Sequence, residues 1–422
     1  SSNSAEWGGG AYFYRSDVTL VSSLVASNTA RYGGGLGLVD GDIRLMDNEI
    51  TSNEVLDEDG GYGGGIYLSS SELTMSGNRI EENRARLLGG GLCLWDGDLH
   101  LTGNTVRANE ALGGGGLYVS WGSGLLSGNR VASNEAGQGG GMYLHETTDV
   151  GLETSLIVSN TAGWGGGAFL RMSTSTLTNT VMAENSARSV GDGAYVNGGT
   201  LTLLHATVAA NGSVVADLTR DAAAAGPPGP SAEDPSNGDS RNGEGVYVAA
   251  GHLTSTNTIL VGHRVGLYLA GDTTAHVQAT LWGAGPWAND VDWNGSGTIS
   301  HTGDYAGDPA FVAPMDEDYH IRPASDAIDQ GVDVAMFEDM DGAPRPAGSG
   351  FDPGADEWTQ PDLSSSIKLV EPSEAEIEDV IVRARAVDAQ HPQHIYAGDG
   401  DYNGTGGWVS YNGGDSWQQE SA

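Results

Sequence analysis

Turn carboxylates are the residues in this chain best placed to do chemistry. Asp40-Gly41-Asp42 and Asp96-Gly97-Asp98 repeat one motif, and Asp57-Glu58-Asp59 and Asp316-Glu317-Asp318 are acidic triplets. Paired carboxylates can act as acid and nucleophile on a glycosidic bond, and carboxylates can hold Ca2+ for polysaccharide cleavage by an arginine or lysine base. Asp339-Met340-Asp341-Gly342 alternates carboxylates but lacks the terminal Glu of a full calcium loop. Asp339 and Asp341 are thus candidate ligands for a structural Ca2+, with a simple turn as the rival role. His391 and His394 are separated by Pro392, with no third histidine or cysteine close by, which argues against a metal centre there. The single cysteine, Cys93, excludes an internal disulfide framework and reads as a small apolar filler. Neither a G-x-S-x-G nor a P-loop is present.

A second feature is a column of aromatics, Tyr12, Tyr67, Tyr118, Tyr143, Phe169, Tyr195, Tyr247 and Tyr268. Each stands between two residues with inward character, so the column is expected to face outward. Rings one repeat apart would lie about 4.8 Å from each other. Such a column either shields a sheet or offers a flat strip to glycans or a partner.

The elements that position these residues are repeats. A Gly-Gly-Gly triplet stands at Gly8-Gly10, Gly33-Gly35, Gly63-Gly65, Gly89-Gly91, Gly114-Gly116, Gly139-Gly141 and Gly165-Gly167, with degenerate copies at Gly191-Asp192-Gly193 and Gly243-Glu244-Gly245. Asparagines recur in step at Asn28, Asn53, Asn83, Asn109, Asn134, Asn160, Asn185 and Asn211. Two residue types locked to one period of about 25 residues mean stacked copies of one unit. Within a repeat, Ile66-Tyr67-Leu68, Glu72-Leu73-Thr74-Met75 and Asn78 to Asn83 alternate with period two, the strand signature. Three short strands per repeat describe one coil of a right-handed parallel β-helix. Coils rising about 4.8 Å each predict a rod of roughly 50–60 Å. Leu36, Leu38, Ile43, Leu45 and Ile50, then Ile66, Leu68, Leu73, Met75 and Ile80, should fill its interior. The asparagines should form a turn ladder, bonding to backbone groups and to one another. The two Asp-Gly-Asp turns then fall two coils apart, about 10 Å, with Ser69-Ser70-Ser71 between them, which favours a tight-turn role over catalysis.

Composition bounds the partners. The chain has 422 residues and a net charge of −38, with 56 acidic against 18 basic residues. A polyanion of this strength repels nucleic acid and anionic lipid. No apolar run reaches the length of a membrane helix, so no membrane insertion is expected. The repeat is already under way at Trp7-Gly8, and any targeting segment is expected to lie outside this sequence.

Residues 1–303 read as the β-helix, with 212–242 as an extruded loop rich in alanine, glycine and proline. Residues 304–358 change character. They carry Asp308-Pro309-Ala310-Phe311-Val312, Ser325-Asp326-Ala327-Ile328-Asp329, Asp339-Met340-Asp341-Gly342-Ala343-Pro344-Arg345-Pro346 and Gly354-Ala355-Asp356-Glu357. This series resembles the choice-of-anchor-type closing segment that ends bacterial secreted right-handed parallel β-helix proteins. The upstream G-G-[AG]-[IL] and asparagine repeats resemble those of the chlamydial polymorphic outer-membrane protein family. Residues 359–382 read as a linker. Within 383–422, Ser410-Tyr411-Asn412-Gly413-Gly414-Asp415-Ser416-Trp417 resembles one blade of an Asp-box, sialidase-like propeller, with Asn412 where aspartate is usual. One blade cannot close a propeller.

These resemblances imply a β-helix in an extracellular or cell-surface setting and no single activity. The expected role is a non-catalytic structural or adhesive rod. Self-association head to tail into a surface filament, other surface proteins, and glycans are its expected partners. No cofactor is expected beyond the Ca2+ considered at Asp339 and Asp341. The rival is a carbohydrate-active enzyme, a polysaccharide lyase or glycoside hydrolase, or a glycan-binding module using the aromatic column.

Overall fold

The computed structural model describes residues 2–55, 60–212 and 243–359, together with the strands Val382–Val387, Ile395–Asp399, Gly407–Ser410 and Gln418–Gln419. The extruded loop at 212–242 therefore falls almost wholly outside the described residues, as do Asp57-Glu58-Asp59, His391, His394 and residues 411–417 of the Asp-box.

The chain is an all-β right-handed parallel β-helix with coils of roughly 26 residues. Three parallel sheets build it, one of sixteen strands and one of eleven along its length, and one of seven from Thr29–Ala30 to Ser186–Val190. The coil Leu92–Gly113 shows the plan. Leu92–Thr102 belongs to the first sheet, Thr105–Arg107 to the second and Glu110–Gly113 to the third. The two alternating segments that follow the glycines are thus halves of one strand. They meet at Asp96, whose φ of 58° turns the chain. The third sheet comes from residues just before the glycines, a segment not counted among the three strands read from the sequence.

Register is in phase with the repeat. Leu92 pairs with Ile66 and Leu117, Leu94 with Leu68 and Val119, and Val106 with Ile80 and Val131. Each column is aliphatic on one side of the strand, so stacking closes a continuous core. All ten interior residues named above are at most 2% exposed. The glycines are steric necessities at the turn between third and first sheets. Gly89 has φ of +65°, and a Cβ on Gly90 would lie 2.4 Å from the Gly115 carbonyl of the next coil. No side chain fits there at the coil spacing.

The segment after the last coils does not simply end the rod. Phe311–Ala313 and Asp318–Ile321 form an antiparallel hairpin, and residues up to Trp358 pack on the outer face of the second sheet. Phe311, Tyr319, Ile321, Ala327 and Ala355 cover Val158, Val181, Ala183, Ala209, Ile259, Val261 and Leu281. Polar clasps flank this contact. Arg130 pairs with Glu317, Tyr319 donates to Glu184 at 3.2 Å, Asn179 donates to the Glu338 carbonyl at 2.7 Å, and the Ala355 amide donates to Thr207 at 3.0 Å. The second-sheet strands show why. In the coils from Glu49 to Arg107 their flanking residues are polar, Glu49 and Thr51, Arg79 and Glu81, Thr105 and Arg107. From Leu156–Val158 onward they are apolar apart from Thr207, as expected of a strand covered on both faces. We call residues 308–358 the brace.

Residues 359–422 form a separate unit. Its described strands make one four-stranded antiparallel sheet in chain order.

Candidate functional site

The repeated asparagines are committed to the fold. Each follows a residue held at φ near 55°, from Ser27 before Asn28 to Ala210 before Asn211. That conformation costs a non-glycine residue about 1–2 kcal/mol, and the asparagine offsets it. Asn109 Nδ2 donates to Asn134 Oδ1 at 3.0 Å and to the Ile80 carbonyl at 2.9 Å. Its Oδ1 accepts from the amide and from Nδ2 of Asn83, both at 3.0 Å. Both donors and both acceptor positions of the amide are therefore filled. The same pattern joins Asn28, Asn53, Asn83, Asn109, Asn134, Asn160, Asn185 and Asn211, all buried. Beyond Asn211 the column continues through His263, whose Nε2 faces Asn211 Nδ2 at 3.3 Å, to Asn289. Burial pushes the His263 imidazole down to about 3, so its ring is neutral.

A second ladder runs along the opposite end of the second-sheet strands. Asn48, Asn78, Asn104 and Asn129 bond in sequence, and Ser155 and Thr180 continue the column. The sequence carried its signal in the asparagine that opens each Asn78-to-Asn83 segment. It changes residue type midway, which hides it from a search for one letter.

The aromatic column faces away from the main core as expected, but over most of its length it is covered rather than open. Register joins Tyr12, Gly37, Tyr67, Cys93, Tyr118, Tyr143, Phe169, Tyr195, Tyr247 and Tyr268 into one line. It lies outside the main core, but Tyr67, Tyr118, Tyr143 and Phe169 are buried, while Tyr195, Tyr247 and Tyr268 are half-buried and Tyr12 is exposed. The reason is the uncounted third-sheet segment. Trp7, Tyr32, Tyr62 and Leu88, just before the glycines, join the column in a second apolar cluster. Within the column itself face-to-face stacking runs from Phe169 onward, at ring distances of 4.7–5.5 Å, while Trp7, Tyr32 and Tyr62 stack on one another. Tyr118–Tyr143 and Tyr143–Phe169 are edge-on. Cys93 is fully enclosed here, and burial raises its thiol far above the usual range.

An aromatic does project from the bend of the long first-sheet strand. Trp121 is 52% exposed and holds φ of 52°, an uncommon state for a bulky residue. Its indole Nε1 donates to Glu146 Oε2 at 2.8 Å, and it packs on Trp95 at 5.4 Å between ring centres. Past that bend the strand carries a shallow groove of about 630 Å³ lined by Asp98, His100, Ser123, Asp149, Glu153 and Thr176 among others, a lining that does not include Trp121. Gly151, between Leu125 and Thr176 in register, leaves the dip. Ser123 stands between Asp98 and Asp149 and bonds to Asp98. Asp42 and Asp98 both pair with Glu72, so the two Asp-Gly-Asp turns are two coils apart. No arginine or lysine lines the groove.

Asp339 and Asp341 have different surroundings. Asp339 is buried, and its carboxylate accepts the amides of Asp341, Ala343 and Glu357 at 2.8–3.1 Å. Three backbone donors make it the cap of a turn. Asp341 is exposed and lies 2.5 Å from His320 Nε2, while His320 Nδ1 lies 2.6 Å from Asp318. The two carboxylates push the imidazole up to about 10.

Residues 46–191, about a third of the chain, match the model of a family described as periplasmic copper-binding protein (NosD). No curated protein and no solved structure matches. Copper is held by converging imidazole, thiolate or thioether groups. Within the matched span the histidines are His100 and His145. His145 Nδ1 lies 3.1 Å from the Tyr118 hydroxyl, and the Cys93 thiol is sealed in the aromatic cluster. Among the described residues of this span, no three ligand atoms of histidine, cysteine, aspartate or glutamate come together. The described histidine, cysteine, aspartate and glutamate residues there do not assemble a copper centre.

Proposed function

We propose that this chain is a non-catalytic, extracytoplasmic rod of structural or adhesive type that presents a binding surface along its coils. One observation carries the reading. The repeated polar residues are buried and fully bonded within the rod, so the repeat builds a scaffold rather than a reacting centre. The similarity to a family described as periplasmic supports the compartment.

A more specific reading is favoured by Trp121. An indole fixed by Glu146, on the same strand as a groove of carboxylates, hydroxyls and one imidazole, suits a glycan chain of which one sugar packs its C–H face on the ring while others bond to the acids. The absence of arginine and lysine from the groove lining favours neutral or cationic sugars over polyuronates. Retention of the full chain on neutral and amino-sugar polysaccharides, lost in Trp121→Ala with the fold intact, supports this reading. Release of new reducing ends or unsaturated sugars overturns the non-catalytic assignment. Head-to-tail filaments are the other specific form. Regular filaments in negative-stain electron microscopy support it, and isolated rods remove it.

A further inference from the structure

The brace contains a side-chain group that neither the repeat nor the groove uses. His320 lies on the strand Asp318–Ile321, Asp341 in the turn after Asp339, and Asp356 in the return that ends at Trp358. These are three separate passes of the chain. One ligand atom from each residue lies within 4.8 Å of the others.

Two independent features direct this group toward a ligand. The first is the orientation of the imidazole. Asp318 Oδ1 holds Nδ1 at 2.6 Å and also accepts the His320 amide at 3.1 Å. A carboxylate behind one ring nitrogen is the support that presents the other nitrogen to a metal. The second is Asp356. It is only 7% exposed, and one of its oxygens accepts the Ile321 amide at 2.7 Å. Among the described residues its other oxygen has no hydrogen-bond partner, and the side chain belongs to the same cluster as His320 Nε2 and Asp341. That oxygen is not fully enclosed, so it is open to an entering ion while its neighbour stays pinned by the Ile321 amide.

We propose that His320 Nε2, Asp341 and Asp356 bind one divalent transition cation that clasps the three passes of the brace. The donor set is one nitrogen and two carboxylates, which suits Zn2+ or a neighbouring transition ion better than Ca2+, whose ligands are oxygens. Tetrahedral bonds of about 2.0–2.1 Å put ligand atoms about 3.3 Å apart. The His320–Asp341 contact of 2.5 Å would open by less than an ångström, and Asp341, being exposed, is free to move. The proton between His320 and Asp341 leaves to solvent as the ion enters, and an open position remains for water. The site lies outside the span that matches the copper-binding family.

The test uses the full chain stripped with EDTA and titrated by calorimetry with ZnCl2, with CaCl2 run separately, alongside melting curves. The expected result is one equivalent of Zn2+ bound at micromolar Kd or tighter, a higher Tm, and no comparable response to Ca2+. Asp341→Asn alters an exposed side chain and should preserve the fold while weakening Zn2+ at least tenfold. His320→Gln should abolish binding. Absence of Zn2+ binding in the wild-type chain overturns the proposal, because the imidazole then serves only as a charged pin between Asp318 and Asp341. Binding left unchanged by both substitutions also overturns it, by placing the ion elsewhere on the acidic surface.

Discussion

Truncating one rung of the first ladder, Asn109→Ala, should destabilise the rod far more than its size suggests. The lost amide makes four hydrogen bonds, two given and two received. After truncation the Asn83 amide has no acceptor, and Asn83 Nδ2 keeps only its bond to the Ile50 carbonyl. Asn134 Oδ1 still accepts the Asn109 backbone amide but loses the side-chain donor. Two buried donors are therefore left short, at about 1–3 kcal/mol each. The vacated volume sits beside Gly91, where an added Cβ would lie 3.1 Å from that amide nitrogen, and adds a cavity term of about 1 kcal/mol. The sum is about 3–7 kcal/mol. Glu110→Ala, one residue along and exposed, should change stability by less than about 0.5 kcal/mol. Because repeat arrays need not unfold in one step, hydrogen exchange read residue by residue is the suitable assay, with urea unfolding as a check. The Asn83 amide should lose protection first, and the coils on either side should follow. If Asn109→Ala costs under 1 kcal/mol and the Asn83 amide stays protected, the ladder is not what holds the turns.

Other outcomes follow from the same geometry. Gly90→Ala puts a methyl group 2.4–2.7 Å from three backbone atoms and should cost about 1–3 kcal/mol or more, with Gly103→Ala, where no neighbour lies within 4 Å, as the milder control in a melting comparison. His263 should make stability fall with acid. Its folded value of about 3 lies below the ordinary 6.5, so the unfolded chain takes up the proton first. Stability is complete above pH 6.5 and declines as pH drops toward 3, by up to about 5 kcal/mol. His263→Asn should flatten a plot of urea midpoint against pH over that window. Glu81 has the opposite kind of partner. Arg107 and Arg79 pull it down to about 2, so its contribution is present above pH 4.5 and fades as pH falls toward 2. Glu81→Gln should remove that part of the acid sensitivity, an effect visible in a double-mutant cycle with Arg107→Ala.

Much of the fold could be read directly because a β-helix writes its constraints with one period. Columns such as Leu68, Leu94 and Val119 must all be apolar, and Gly90 and Gly115 must both lack a side chain, so pattern and cause coincide. The first ladder was legible for the same reason. Where a column tolerates substitution of like chemistry, the signal thins. Ser155 and Thr180 do the work of asparagine in the second ladder, and His263 does so in the first. The aromatic column shows a different loss. Alternation correctly put Tyr118 opposite the core, but it is buried in a cluster that also draws Leu88 and Tyr62 from another part of the coil, which alternation in one strand does not encode. The brace was in principle visible. Val158, Val181 and Ala183 flank inward residues in strands that would otherwise alternate, and apolar flanks need a cover. The His320 cluster had no local pattern, since its members are 15 to 36 positions apart and meet only when the brace folds.

A rod in which each coil touches only its neighbours is a one-dimensional system, and its ends can fray without consulting its middle. The brace alters that dimensionality. Through Glu317 it reaches Arg130, through Ala355 it reaches Thr207, and through Val332 it reaches Asn257, so coils that share no direct contact gain a common partner. The coils from Arg130 onward should therefore melt as one cooperative block, while those from Ala11 to about Arg107 keep the graded behaviour of a free repeat array. Order of synthesis sharpens the contrast. The coils emerge first and can stack one upon another as they appear. The brace follows, closing loops of 187 and 148 residues, and seals an array already formed. Folding of this chain is expected to be progressive in assembly and all-or-none in its final locking, with the two halves of the rod separable in a single exchange experiment.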